Sequence, residues 1–228
     1  LQGEIKGLKD GHEKWLLDLV ALGTICDIVP LVGENRTLAF WGLKVMQQTH
    51  RSGIRALIAV SKINPSDLNA RGLGFGLGPR LNASGRLETA QISLDLLTTR
   101  DNGQALQLAQ ELDSMNQIRR KDQNRIFEEA NLQVSKYTDD EVLVLSSKNW
   151  NHGIVGIVAA KILEAHQKPT FVLQEISDET KGSARSFSDF SVGEAIKYSQ
   201  THIIKGGGHN LAAGVTLKTT KISEFRLS

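Results

Sequence analysis

Apolar and polar positions along the 228 residues change their period once, near Tyr137. Before that point the spacing is helical. Residues 15–29 (WLLDLVALGTICDIV) are almost wholly apolar, broken by Asp18, Gly23, Thr24 and Asp27. That run is longer than an ordinary strand and predicts a buried helix. Pro30 and Gly33-Glu34-Asn35 mark a turn. Residues 36–49 and 54–61 are expected as helices, with Leu38, Trp41, Leu43, Val45 and Met46 at the apolar positions. Residues 70–87 hold five glycines, a proline and three arginines, which predicts a loop-dominated segment before a short helix over 89–98.

Asp101 and Gln104 stand as a helix N-cap and its capping-box partner. From there to Tyr137 nothing breaks the helical pattern. An apolar stripe runs through Ala105, Leu108, Ala109, Leu112 and Met115, and another through Ile126, Ala130 and Val134. Between them Asn116–Arg125 is polar nearly all round, so its basic run of Arg119, Arg120, Lys121 and Arg125 is expected as a solvated face. A helix amphipathic at both ends and polar in the middle suits a bridge between domains. At that length it would span roughly 55 Å.

After Tyr137 strands alternate with helices. EVLVLS (141–146), TFVL (170–173), GSARSF (182–187) and GVTL (214–217) are expected as strands, with helices over 153–166 and 191–200. The expected fold class is α/β. Its parts are a mostly helical 1–100, a long connecting helix over 101–137 and a smaller α/β domain over 138–228.

Composition narrows the function classes. A hydrophobic content of 40% supports packed cores rather than disorder. The single cysteine, Cys26, allows no internal disulfide and fits a reducing cytoplasm. No apolar run reaches membrane-spanning length and no signal peptide is evident, so no membrane partner is expected. Net charge is +2, from 27 basic and 25 acidic residues, which neither demands nor excludes nucleic acid. The chain begins at Leu1 and ends on Arg226-Leu227-Ser228, and both ends are expected to be cuts.

Candidate chemistry lies in short strings. In Lys205-Gly-Gly-Gly-His209-Asn-Leu-Ala-Ala-Gly214, glycines let a backbone approach a ligand closely, and amides at such a turn can hold phosphate. His209 can donate a hydrogen bond or titrate near neutrality. Alternatively this is a flexible turn with a surface histidine. Arg80 and Arg86, with Asn82 between them, carry forks suited to phosphate oxygens; structural ion pairs are the other reading. Ser183 and Arg185 share one face of a predicted strand and offer a hydroxyl and a further fork. Asp27, in a nearly apolar stretch, would be costly to bury unless paired or metal-bound; a helix-capping aspartate is the alternative. Asp18 and Trp150 are expected to be structural.

Taken together these strings resemble the RecJ-like exonucleases of the DHH phosphoesterase superfamily. GGGHNLAAG is similar to the signature of the DHH-associated domain. DLVALGTICDIVPL (18–31), ENR (34–36), GPRLNASGR (78–86), NWNHGIVGIVAAKI (149–162) and GSARS (182–186) follow in the family's order. The chain departs from the pattern at Asn151-His152, where the family has histidine directly after tryptophan. The metal-binding motifs that name the superfamily are not present and would precede Leu1.

The resemblance implies that 1–100 is the C-terminal part of a DHH domain and that 138–228 is a DHH-associated domain truncated at its C-terminal end. It implies a metal-dependent exodeoxyribonuclease digesting single-stranded DNA 5′→3′ in repair and recombination. Two Mn²⁺ or Mg²⁺ ions would serve it, with Asp27 as a ligand. Asp27 and His209 would be catalytic, and Arg80, Asn82, Arg86, Ser183, Arg185, Gly207 and Gly208 would bind substrate. A monomer working with a single-strand-binding protein and a helicase is implied. The alternatives within the superfamily are a non-catalytic nucleic-acid-binding scaffold and a small-oligonucleotide phosphodiesterase.

Overall fold

Helix α1, Leu17–Cys26, stops at Asp27 and Ile28. The Val29 amide donates to the Thr24 carbonyl at 3.1 Å and the Ile28 amide to Ile25 at 3.2 Å. This pair of bonds closes a helix when the residue after the cap is left-handed. That residue is Ile28, at φ +57°, where glycine commonly stands. A β-branched residue there costs roughly 1–2 kcal/mol, and its side chain is 88% exposed, so little packing offsets the strain. Ile28→Gly should therefore stabilise the protein by about 0.5–1 kcal/mol after glycine's entropy is counted. The check is a higher denaturant midpoint at unchanged slope; a lower midpoint would place a stabilising contact at Ile28.

A computed structural model describes residues 11–187 and 189–228. The first ten residues of the expected 1–100 domain lie outside the described residues. The chain forms two compact units, residues 1–117 and 118–228.

In the first unit, α1, α2 (Gly33–Gln47), α3 (Ser52–Val60), α4 (Gly78–Leu87), α5 (Gln91–Thr98) and the first half of α6 (Asn102–Val134) enclose one core. Ala21, Met46, Leu57, Leu77, Leu96 and Leu112 form its centre. Close helix approach requires glycine at 53, where a Cβ would strike the Leu96 carbonyl oxygen. Asp18 is 1% exposed and structural. Its carboxylate accepts from Thr49 Oγ1 at 2.8 Å and Arg51 Nε at 3.0 Å.

Residues 70–87 are helical, not a loop. A π-helical turn, Gly72–Leu77, runs into α4, with Pro79 in the first turn of α4. The glycines here serve close packing rather than flexibility. A Cβ at Gly76 would lie 2.7 Å from Ile63 Cδ1, and one at Gly78 would lie 2.6 Å from Cys26 Sγ.

Helix α6 is unbroken and capped as expected, with the Gln104 amide donating to Asp101 Oδ1 at 2.7 Å. Its polar middle is not solvated all round as the sequence predicts. Ala105, Ala109, Leu112, Asn116, Arg119, Gln123, Ile126, Ala130 and Val134 are all buried. They recur every three or four residues, so one buried stripe runs the length of the helix. In its middle Arg119 Nη1 donates to Gln123 Oε1 at 2.7 Å. The boundary between the units falls inside this helix.

The second unit holds a five-stranded sheet in the order β1-β2-β3-β5-β4. The strands are β1 (Leu143–Ser147), β2 (Thr170–Ile176), β3 (Glu179–Arg185), β4 (Lys205–Gly208) and β5 (Ala212–Lys218). β1 and β2 are parallel, joined through α7 (His152–His166), and the remaining pairs are antiparallel. On one face Phe171, Leu173, Ala184, Ala213, Val215 and Leu217 pack with Val192 and Ile196 of α8 (Val192–Tyr198) and Phe225 of α9 (Ile222–Leu227). On the other, α7 packs on β2 and β3. Trp150, 1% exposed, is core as expected. β4 was not expected: the triple glycine read as a turn is an edge strand.

Candidate functional site

Residues directly opposite one another in a sheet share a face. On the face that carries α7, Ser183 of β3 lies opposite Gly214 of β5, which lies opposite Gly207 of β4. Arg185, two residues along β3, lies opposite Ala212. Adjacent strands sit about 4.8 Å apart, so Gly207 is roughly 10 Å from Ser183 across the sheet. α7 lies over β2 and β3, and beyond it Gly214 and Gly207 are exposed.

The glycines of this hairpin divide by face. On the covered face, Cβ atoms at Gly206 and Gly208 would lie 2.9 Å from Ile196 Cγ2 and 2.5 Å from Ala213 Cα. Those two glycines are required by the fold. On the open face a Cβ at Gly207 would meet nothing within 4 Å, and one at Gly214 would come no closer than 3.8 Å to the Gly182 carbonyl. Packing within the chain gives no reason for glycine at either position. The open strip is a bare backbone floor beside Ser183 and Arg185.

Those two side chains meet α7 at Gly156. A Cβ there would lie 3.2 Å from Arg185 Nη2 and 3.2 Å from Ser183 Oγ. Arg185 Nη1 also donates to the Ala184 carbonyl at 2.8 Å. The guanidinium is thus held against the sheet. His209 is exposed at the tip of the β4–β5 hairpin, its amide donating to the Ala212 carbonyl at 2.8 Å. The tip is fastened to the start of α8: the Asn210 carbonyl accepts from Val192, and its Oδ1 accepts from Ser191 Oγ at 3.0 Å. Asn151 caps α7, accepting from the Gly153 amide at 2.8 Å, and the exposed His152 follows it.

In the first unit, the end of α1 packs on the start of α4 through Cys26 and Gly78, so Asp27 and Arg80 belong to one neighbourhood. Asp27 is the C-cap residue of α1 and is exposed, the capping position that the sequence left open. Arg80 is largely spent internally. Its Nε donates to Asp113 Oδ1 at 2.8 Å and its Nη1 to the Gly76 carbonyl at 2.7 Å, the structural use that the sequence left open. Asn82 and Arg86 are exposed on the same helix. The Cys26 thiol donates towards the Leu73 carbonyl, and burial pushes its pKa up to about 11.

Among the described residues, no group of three or more His, Cys, Asp or Glu side chains is placed to hold a metal ion. Asp27 fits as one oxygen ligand of a hard divalent ion but does not by itself make a two-ion site. A hollow of about 890 Å³ in the first unit is lined by Trp15, His50, Arg51 and Leu94, among others, and by none of the candidate residues. Gly214 closes the Lys205–Gly214 string but is not among the site residues expected from the sequence.

Residues 139–226 match the DHHA1 domain. The chain is 39% identical over 214 residues to the single-stranded-DNA-specific exonuclease RecJ of Bacillus subtilis (strain 168), covering 92% of this chain and 27% of the relative. It is 38% identical over 222 residues to RecJ of Escherichia coli (strain K12), covering 92% and 38%. The fold matches the crystal structure of RecJ in complex with Mn²⁺ from Thermus thermophilus, with a TM-score of 0.87 and 31% identity over 97% of this chain and 32% of that one. The chain thus spans 27% and 38% of the two curated relatives.

Proposed function

We propose that this chain, a RecJ-like segment containing a DHHA1 domain, is the strand-holding part of a single-stranded-DNA exonuclease. The observation that carries this reading is the pair of glycines at 207 and 214. They are unexplained by packing and lie beside a hydroxyl and a held guanidinium. A sugar-phosphate backbone can approach such a floor closely at Gly207, and its phosphate oxygens accept from Ser183, Arg185 and the Gly208 amide. Contacts of this kind read the backbone and not the bases, which suits an enzyme that degrades any sequence.

His209, at the hairpin tip, adds a donor at the end of the strip. In the first unit, the exposed Asn82 and Arg86, on the same helix as Arg80, can take a further phosphate. Asp27 contributes one carboxylate to the metal site of the whole protein. Mn²⁺ or Mg²⁺ there would polarise the scissile phosphate; the described residues of this chain do not complete that site. The parent activity we infer is 5′→3′ digestion in repair and recombination. The setting is cytoplasmic, and the protein works as a monomer beside a single-strand-binding protein and a helicase.

Two assays on the 228-residue chain test this. It should bind a 5′-phosphorylated oligothymidylate in preference to a duplex of the same length, read by fluorescence anisotropy. It should also fail to shorten that strand in the presence of Mn²⁺, because one carboxylate cannot fix the ions. Equal affinity for the duplex would overturn the strand-holding role, and Mn²⁺-dependent digestion would overturn the shared metal site.

A further inference from the structure

The open face of the second unit continues past Ser183. One row further, Lys181 of β3 lies opposite Thr216 of β5, which lies opposite Lys205 of β4. Gln174 of β2 completes the row, opposite Lys181. Gln174 Oε1 accepts from the His152 amide at 3.0 Å, so α7 begins over this row and reaches Ser183 and Arg185 one turn later. The positive end of a 15-residue helix therefore lies beside Lys181. Lys205 is exposed and Lys181 is partly so, with Thr216 buried between them at 7% exposure. Among the described residues neither ammonium lies within 4.0 Å of a carboxylate or makes a hydrogen bond. The acidic side chain in the next row of this face, Glu179, sits opposite Lys218.

Two unpaired lysines have no structural partner to explain them here, and both border the glycine floor. We propose that Lys181 and Lys205 form a second phosphate subsite, which takes the backbone of the strand one step beyond the phosphate held by Ser183 and Arg185. The inference rests on the strand-holding reading above and gives it a direction. The strand runs along β3 and β5, from the Arg185 row to the Lys181 row. Point-charge ammonium groups suit this second position, because a following phosphate needs neutralising but not fixed orientation. The Arg185 fork holds the phosphate that must be oriented.

The test compares thymidine 5′-monophosphate with a short oligothymidylate, each titrated against the 228-residue chain and its Lys181→Gln/Lys205→Gln and Arg185→Ala variants at several salt concentrations. The gain in affinity from monophosphate to oligomer should fall roughly ten-fold in the double lysine variant. The slope of log affinity against log salt should fall by about 0.7 for each lysine lost. Arg185→Ala should weaken both ligands. An unchanged gain and slope in the lysine variant, with Arg185→Ala still impaired, would overturn the second subsite and leave the strand-holding reading standing. Wild-type chain that binds neither ligand would remove that reading and this inference with it. The lysines are partly or fully exposed and unpaired, so thermal midpoints should match wild type. A shared loss of fold would show there and would itself contradict the assignment of these side chains to the surface.

Discussion

Trp150→Ala will destabilise the second unit by about 3–5 kcal/mol, the usual cost of removing a fully buried large aromatic side chain. The indole is 1% exposed, and its Nε1 donates to Glu129 Oε2 at 2.7 Å, tying the β1–α7 connection to the second half of α6. Trp150→Phe separates the two contributions. It keeps most of the volume and removes the donor. That N–H is also the main reason the Glu129 carboxyl titrates below the usual carboxylate range, with Arg125 adding to it. A carboxyl lowered on folding contributes stability above its unfolded pKa, about 4.3, and loses it as pH falls through the folded value. Wild type should therefore lose stability below about pH 4.3, and Trp150→Phe should lose less over the same range. Glu129 is 41% exposed, so the difference will be small beside the packing loss. Chemical denaturation across pH measures both, and identical acid profiles would show that the indole–carboxylate bond does not form.

Arg185→Ala will cost the chain roughly 1.5–3 kcal/mol of single-strand affinity, the value of a charge-assisted hydrogen bond. That is about ten-fold to more than a hundred-fold in dissociation constant. Lysine at 185 should recover only part, since an ammonium lacks the planar fork. The guanidinium also braces the Ala184 carbonyl, so both variants need a thermal midpoint beside each binding curve. Full affinity in a folded Arg185→Ala would remove this side chain from the site.

Much of the fold was legible because periodicity reports burial. The helices over 15–29, 36–49, 54–61, 89–98, 153–166 and 191–200, and four of the five strands, appear near their expected places. What stayed hidden turns on glycine and on context. In 70–87 a high glycine content suggests a loop, whereas Gly76 and Gly78 admit Ile63 and Cys26. In β4 three glycines carry no alternating side chains, so no pattern can announce a strand. On α6 the polar residues Asn116, Arg119 and Gln123 continue a stripe that a hydrophobic count cannot see.

The site was legible in a similar, partial way. Ser183 and Arg185 were placed on one strand face from spacing alone, and the structure puts both against Gly156. The row Ser183–Gly214–Gly207 depends on register across three strands, which no local string encodes. Asp27 lies in an apolar run, yet it is the C-cap residue of α1 and stands in solvent, next to an Ile28 that is itself exposed. Arg80 was read by its residue type, yet its partner Asp113 lies 33 residues away on α6.

The central claim is that the bare floor at Gly207 and Gly214 exists for a ligand and not for the fold. Gly207→Ala tests it with two readings on one protein. Glycine within a strand is roughly 0.5–1 kcal/mol less favourable than alanine, and a Cβ at 207 meets nothing within 4 Å. The variant should therefore unfold at an equal or higher midpoint than wild type. It should bind oligothymidylate several-fold more weakly, since the methyl group stands where the strand would lie. Unchanged stability with unchanged affinity would contradict the account, because glycine at 207 would then serve neither the fold nor a ligand.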